Sequence, residues 1–272
     1  MPVSERQIAE FADHHLWKIP FDTSPRHLAG PGDPRHVTHG LAAAGWTRAS
    51  SDPLSPKIVL HSPDHRTSLR FNPYASDWWV LRAEPTDTSP GWYAHFGELL
   101  PGEILGSLTD ALHTPPPAEA PDPWQTLTAA GWLPDDQGIV RSSDGMCRVE
   151  PYPLDRSEPM DWRVVAHERG YGYPDGRRIW SAWFNSRTPV HLVNTFVTAL
   201  VDTAPLQREM YARTAHCSAT HERSPLTPQQ VVNAHTTRLN ALSAQARAAK
   251  RHKPTTTVAP AQPGRTTTPP RR

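Results

Sequence analysis

The stretch Trp92-Tyr93-Ala94-His95-Phe96 (WYAHF) returns 88 residues later as Trp180-Ser181-Ala182-Trp183-Phe184 (WSAWF). Trp, Ala and Phe keep their places, while Tyr93 and His95 become Ser181 and Trp183. Successive side chains of a β-strand point to opposite faces, so the kept residues share one face and the changed ones the other. The kept face is expected to lie under helices as core. The changed face is free to carry function.

The pair belongs to a longer echo. Leu41-Ala-Ala-Ala-Gly45-Trp46 returns as Leu127-Thr-Ala-Ala-Gly131-Trp132, and Ser62-Pro-Asp64 as Ser142-Ser-Asp144. Arg70-Phe-Asn-Pro73-Tyr74 returns as Arg148-Val-Glu-Pro151-Tyr152, and Asp77-Trp-Trp-Val80 as Asp161-Trp-Arg-Val164. Pro101 and Pro189 follow WxAxF at the same distance, and Ala111-Leu112 and Ala199-Leu200 close each copy. Matching segments in one order mark an internal duplication, with copies at 35–112 and 123–202. The Pro- and Ala-rich residues 113–122 read as the linker between them.

Each copy reads locally as α-β-β-β-β-α. Residues 35–44 have helical spacing, and Gly45 suits the left-handed position that ends a helix. Residues 57–62, 67–72, 77–84 and 91–98 are rich in β-branched and aromatic side chains and are separated by turn residues. Residues 102–112 place Ile104, Leu105, Leu108 and Leu112 on one helical stripe. The expected fold is α+β: two tandem units with antiparallel meander sheets and helices on one face. Residues 1–34 read as an N-terminal helix and a lead-in segment. Residues 203–250 read as C-terminal helices, with 206–222 one of them, and 251–272 as a disordered basic tail.

The order of these motifs resembles a known family. Ser62-Pro-Asp-His65, the Ala-Gly-Trp at 44–46 and 130–132, and Ser24-Pro-Arg-His-Leu-Ala-Gly30 followed by Gly32-Asp33 are similar to the duplicated SPDY-motif domain of Streptomyces-type actinobacteria. The likeness covers about residues 20–202. His65 stands where the motif has Tyr, and Ser142-Ser-Asp-Gly145 departs further. The family is a domain of unknown function, so the resemblance implies a bacterial, cytoplasmic setting and a two-copy architecture, and no substrate.

The 272 residues hold 31 prolines, ten tryptophans and a net charge of +1, which hides an asymmetry. Residues 1–223 carry 20 basic and 27 acidic groups, whereas 224–272 carry eight basic and none acidic. Such a tail favours polyanions or the acidic body itself. There is no signal-peptide pattern, and no apolar run of membrane-spanning length. Cys147 and Cys217 fit no metal or redox spacing and read as plain packing residues in a reducing compartment.

No nucleotide-binding, nucleophile-elbow or zinc-protease signature is present. The fifteen histidines show no zinc-like ligand spacing, so no metal and no cofactor are expected. Asp64, Asp144, Arg70 and Arg148 are polar positions that the echo keeps. They read either as a shared anion site or as turn and ion-pair residues. Trp78, Trp79, Arg82, Tyr93, His95 and Trp183 are the candidate binding face, with one of the two adjacent tryptophans pointing outward. The alternative is that the second copy or the 206–222 segment covers this face. Thr227-Pro-Gln-Gln230 reads as a capping-box helix start. The following seam of Val232, His235, Leu239, Leu242, Ala246 and Ala249 docks on the body or pairs in a dimer.

The sequence reading is a non-enzymatic, cytoplasmic binding protein. It engages nucleic acid through Arg247, Lys250, Arg251 and Lys253 of the tail and through the aromatic sheet face. The alternative is a protein–protein assembly module that dimerises through the C-terminal helix. A third reading is an enzyme with a site between the copies, built from Asp64, His65, Arg70 and His95.

Overall fold

The computed structural model describes residues 3–49, 55–87, 89–119, 121–152, 160–170 and 176–252. The lead-in holds α1 (Glu5–Leu16), β1 (Pro20–Ser24) and a single 3-10 turn at Arg26–Leu28. Then come α2 (Arg35–Ala43), β2 (Thr47–Arg48), β3 (Ile58–His61), β4 (Thr67–Phe71), β5 (Asp77–Ala83), β6 (Trp92–Gly97) and α3 (Gly102–Ala111). The same order repeats as α4 (Pro123–Ala129), β7 (Leu133–Pro134), β8 (Val140–Arg141), β9 (Cys147–Tyr152), β10 (Asp161–His167), β11 (Arg178–Phe184) and α5 (Val190–Val201). The chain closes with β12 (Leu206–Glu209), β13 (Thr220–Arg223) and α6 (Pro228–His252). Among the described residues no helix is long and apolar enough to cross a membrane.

Each copy carries one strand more than expected. The short β2 and β7 directly follow Gly45 and Gly131, which hold left-handed φ values of 91° and 82°. The two meanders are not separate sheets. They join edge to edge into one ten-stranded antiparallel sheet, ordered β2-β3-β4-β5-β6-β11-β10-β9-β8-β7. β6 and β11 end their meanders and would otherwise leave a row of unpaired N–H and C=O groups.

The joint is reciprocal. Ala94 faces Phe184, Ala182 faces Phe96, and His95 faces Trp183, its own counterpart. A pseudo-two-fold axis therefore passes through the His95–Trp183 pair. On the inner face Trp79, Leu81, Ala94, Phe96, Trp162, Val164, Ala182 and Phe184 are buried. Helices α2, α3, α5 and α4 pack side by side over them. Phe96 and Phe184 meet across the joint with ring centroids 5.5 Å apart, and both rest on Phe196 of α5.

Strand register corrects two alignments drawn from the sequence. A bulge between Asp77 and Trp79 brings Trp79 opposite Phe96, just as Trp162 lies opposite Phe184. Trp79, not Trp78, is thus the counterpart of Trp162, and Trp78 is the inserted residue. Arg70 and Arg148 are not counterparts either. The backbone N–H groups of Thr67 and Cys147 make the same bond to Ser62 and Ser142. Counting along the strands from there puts Arg70 at the place of Glu150, and Ser68 at that of Arg148.

The segment 206–222, read as helix, instead supplies β12 and β13, which flank β1 in a three-stranded antiparallel sheet. Leu206 and Arg208 are both buried on one face of β12. The alternation is that of a strand, but an inward arginine disguises it. Helix α6 begins with the expected capping box: Thr227 N–H donates to Gln230 Oε1 at 2.8 Å and Gln230 N–H to Thr227 Oγ1 at 3.3 Å. Val232, His235, Leu239 and Leu242 of its seam are buried against α1 and α2, whereas Ala246 is half-buried and Ala249 exposed. The face offered for dimerisation is therefore used within the chain. Cys147 is buried, but Cys217 is exposed rather than packed. Lys253 and the remainder of the tail lie outside the described residues.

Phe96→Ala is expected to lower stability by about 3–5 kcal/mol, the usual cost of emptying a large aromatic site. Tyr93→Ala, three positions back on the opposite face, is expected to cost about 0.5 kcal/mol. Urea midpoints compare the two, and equal losses would mean that the faces are misassigned.

Candidate functional site

Among the described residues no helix packs on the outer face of the sheet. Across it the strand registers align Val59, Arg70, Val80, His95, Trp183, Arg163 and Glu150 in one row. The central six form three pairs about the pseudo-two-fold axis: Arg70 with Glu150, Val80 with Arg163, His95 with Trp183. All three pairs differ in residue type, whereas the inner face keeps Trp79/Trp162, Ala94/Ala182 and Phe96/Phe184. The contrast first seen in WYAHF and WSAWF therefore extends from the joint to the tryptophans of β5 and β10.

Four rings form a band at the joint. Tyr93 and His95 meet edge-on with centroids 5.3 Å apart, and Trp183 and Tyr152 lie 4.8 Å apart. Tyr93 and Tyr152 are 44% and 47% exposed. The kept aspartates anchor the changed rings. His95 Nδ1 lies 3.1 Å from Asp77 Oδ2, and Trp183 Nε1 donates to Asp161 Oδ2 at 3.0 Å. An ionised carboxylate only accepts, so Nδ1 of His95 carries the proton that faces Asp77. Asp161 also receives Ser186 N–H at 2.7 Å. Asp77 thus pairs with His95 and not with an arginine.

Arginines flank the band. Arg70 is exposed and has no acid partner among the described residues. Arg82 pairs with Glu84 at 3.0 Å. Arg163 and Arg148 both donate to the buried Glu150, at 3.0 and 2.8 Å. Trp79 is core and stacks on Phe71 at 4.2 Å, while the half-buried Trp78 leans on Phe71 at 6.0 Å. Neither tryptophan joins the outer row. Arg163 does join it, and Tyr152 lies on the same face two residues beyond Glu150; sequence reading missed both. The signal was available, because both follow from setting the second copy's strands in register with the first.

Asp64 and Asp144 make the same turn. Each accepts from its Ser62 or Ser142 hydroxyl at 2.6 Å and from the backbone N–H two residues on. His65 and Gly145 occupy its left-handed position, at φ 59° and 70°. The second copy's Gly is therefore a fit to the turn and not a loss of it. Asp144 has an added partner, the buried His27, whose Nε2 lies 2.9 Å away. Burial opposes ionisation of Asp144, but the His27, Ser142 and Met146 hydrogen bonds outweigh it and hold its carboxyl far below the usual range. The proposed catalytic quartet does not converge. Asp64 and His65 sit at the β3–β4 hairpin tip, and Val80 separates Arg70 from His95.

A second polar cluster, unsuspected from sequence, lies beyond the first copy's helices. Arg208 is buried and grips Glu103 with both amino groups, at 2.6 and 3.0 Å, while also donating to the carbonyls of Ala29 and Gly30. Burial opposes ionisation of Glu103, but Arg208 keeps its carboxyl below the usual value. His39 and His235 lie 3.3 Å apart, and His235 stacks on Phe11 at 3.9 Å. Burial, aided by nearby cationic groups, lowers His39 to about 4 and His235 to about 3. His14, His15 and Asp33 offer ligand atoms within 4.8 Å of one another. Lys18 already lies 2.9 Å from His14 Nε2, and Arg35 holds both Asp33 oxygens. The trio is an ion-pair network whose oxygens and nitrogen are taken. Arg247, Lys250 and Arg251 end α6, on the helix side of the sheet and away from the aromatic band.

The family described as SPDY, a domain of unknown function (DUF317), matches the chain twice, at residues 61–118 and 141–206. No curated protein and no solved structure matches it.

The buried histidines set a pH dependence. Below the ordinary histidine value of 6.5 the unfolded chain takes up protons that folded His39, lowered to about 4, and His235, lowered to about 3, refuse. Stability is therefore complete above that value and falls as the pH drops. His235→Phe keeps a ring on Phe11 and removes one such site. It is expected to flatten the loss between about pH 6.5 and about pH 3. Parallel stability curves for the two proteins would locate the proton uptake elsewhere.

Proposed function

We propose that this chain, along which the SPDY domain of unknown function occurs twice, is a non-enzymatic binding protein that takes its partner on the outer sheet face. The observation that carries the reading is the band Tyr93, His95, Trp183 and Tyr152, open on a face without helices and flanked by Arg70 and Arg163. Single-stranded nucleic acid fits this chemistry best. Exposed rings stack bases of any sequence, and the guanidinium of Arg70 meets the backbone phosphates. Of the acidic groups on this face, Asp77 and Asp161 are turned to the rings' own N–H groups, and Glu150 is held by Arg148 and Arg163. The two aspartates orient the rings, and both oxygens of Asp161 are engaged.

The basic end of the chain has a separate part in this reading. Arg247, Lys250 and Arg251 lie across the sheet from the band, so they add attraction for a polyanion but do not share the band's contacts. The setting is taken to be the bacterial cytoplasm, with neither cofactor nor metal. A protein partner would use the same outer face. Dimerisation through α6 is not part of the proposal, since that helix's apolar seam is buried at home.

The test is a fluorescence-anisotropy titration of labelled oligo-U and oligo-dT with the full chain at low salt. Binding that weakens steeply with salt is expected. Tyr93→Ala with Arg70→Ala is expected to weaken it about tenfold or more, from the loss of one stacked base and one phosphate contact. A chain ended after residue 252 keeps α6 and isolates the tail, whereas a cut at 224 would strip α6 from the core. Absence of binding at low salt, or binding that ignores the double substitution, overturns the proposal.

A further inference from the structure

The lead-in, β12 with its following turn, and α6 enclose a cavity of about 780 Å³. That is within the range of about 300–1,000 Å³ typical of small-molecule sites. Most of its lining comes from outside the two matched segments, so it belongs to this chain's additions and not to the repeated domain.

The ionic groups along the cavity are nearly all paired inside the protein. Arg208 is held by Glu103, Arg238 by Asp110 at 2.7 Å, Lys18 by Glu209 at 2.9 Å, and Asp33 by Arg35. The loop above Arg208 is built to leave it in place. Gly32 has φ 63°, and a Cβ there would come 3.0 Å from the guanidinium. Histidines on the same wall are poor proton acceptors, because burial lowers His36 and leaves His235 at about 3. A ligand's buried part therefore meets no free charge, and carrying one inside without a partner would be costly. Leu206, Leu226 and Val231 supply apolar wall. Arg213 differs from the other cations: it lines the cavity, is exposed, and has no acid partner among the described residues.

From this arrangement we infer that the cavity binds a small organic acid, its apolar body against Leu206, Leu226 and Val231 and its anionic group at Arg213. The body is stabilised by removal of its surface from water, and the acid stays at the solvent-facing cation where its hydration is least disturbed. This site lies on the helix side of the sheet and is independent of the outer aromatic band.

Two naphthalene probes test it on the full chain. 1-Anilinonaphthalene-8-sulfonate carries an anion on an apolar body, and N-phenyl-1-naphthylamine is the same body without it. Saturable fluorescence enhancement by both, at one probe per chain, is expected. Val231→Trp fills the cavity and is expected to abolish both signals, with near-UV circular dichroism confirming the fold. Leu226→Trp, at a more exposed wall position, serves if Val231→Trp does not fold. Arg213→Ala is expected to weaken the sulfonate probe about tenfold, as loss of one charge-assisted contact does, and to leave the neutral probe unchanged. Tyr93→Ala with Arg70→Ala is expected to change neither, so this site and the outer face are read apart. Failure of both probes to saturate, or binding that ignores a folded cavity-filling variant, overturns the site. An equal response of both probes to Arg213→Ala overturns its choice of acids.

Discussion

The hydrogen-bonded seam between β6 and β11 is the constraint from which the other layers take their positions. Each meander ends in a strand whose free edge must be paired or shielded, and each shields the other's. Once the strands are in register, Phe96 and Phe184 have to meet beneath the seam, and Phe196 of α5 closes over them. That contact seats α5 beside α3 and sets the helical layer α2, α3, α5, α4. The same register places His95 against Trp183 on the other side. One set of backbone bonds thus determines the core below and the aromatic band above.

The segments outside the duplication act as ties. His27 bonds Asp144 through its ring and accepts Trp180 Nε1–H on its carbonyl at 2.8 Å, binding the lead-in to the second copy. Arg208 reaches from β12 to Glu103 of α3 in the first copy while holding the carbonyls of Ala29 and Gly30. Buried charges of this kind are costly unless every donor is met, and Arg208 has carbonyl or carboxylate partners on all three nitrogens. Such ties orient the lead-in over the helical layer. They also form the wall on which the cavity rests.

Much of this was legible in the residues. The alternation in WYAHF gave the inner and outer faces correctly, because a strand's period of two leaves little freedom when one face is buried. Gly45, the capping box at Thr227 and the helix read at 102–112 are local signals; the first two appear as read, and the helix spans Gly102–Ala111 with Leu112 as its cap. Long-range choices were not legible. Nothing within either copy says that its last strand pairs with the other copy's last strand and does not end in solvent. The bulge at Asp77 moved the inward tryptophan by one position, and a two-residue offset separated Arg70 from Arg148. Residue matching without gaps cannot see either shift. The strand at 206–209 was hidden because its inward Arg208 has its carboxylate partner, Glu103, more than a hundred residues away.

The reciprocal joint has an evolutionary reading. In a dimer of two identical single-copy chains, the residue on the axis would face itself, and every substitution there would be made twice. A histidine could meet only a histidine, and a tryptophan only a tryptophan. Fusion of the copies into one chain releases that position from symmetry. His95 and Trp183 are such an unlike couple, seated where no homodimer of this fold could place one. The gene duplication thus did more than double a domain, since it opened the centre of the sheet to pairs of side chains that separate subunits cannot assemble.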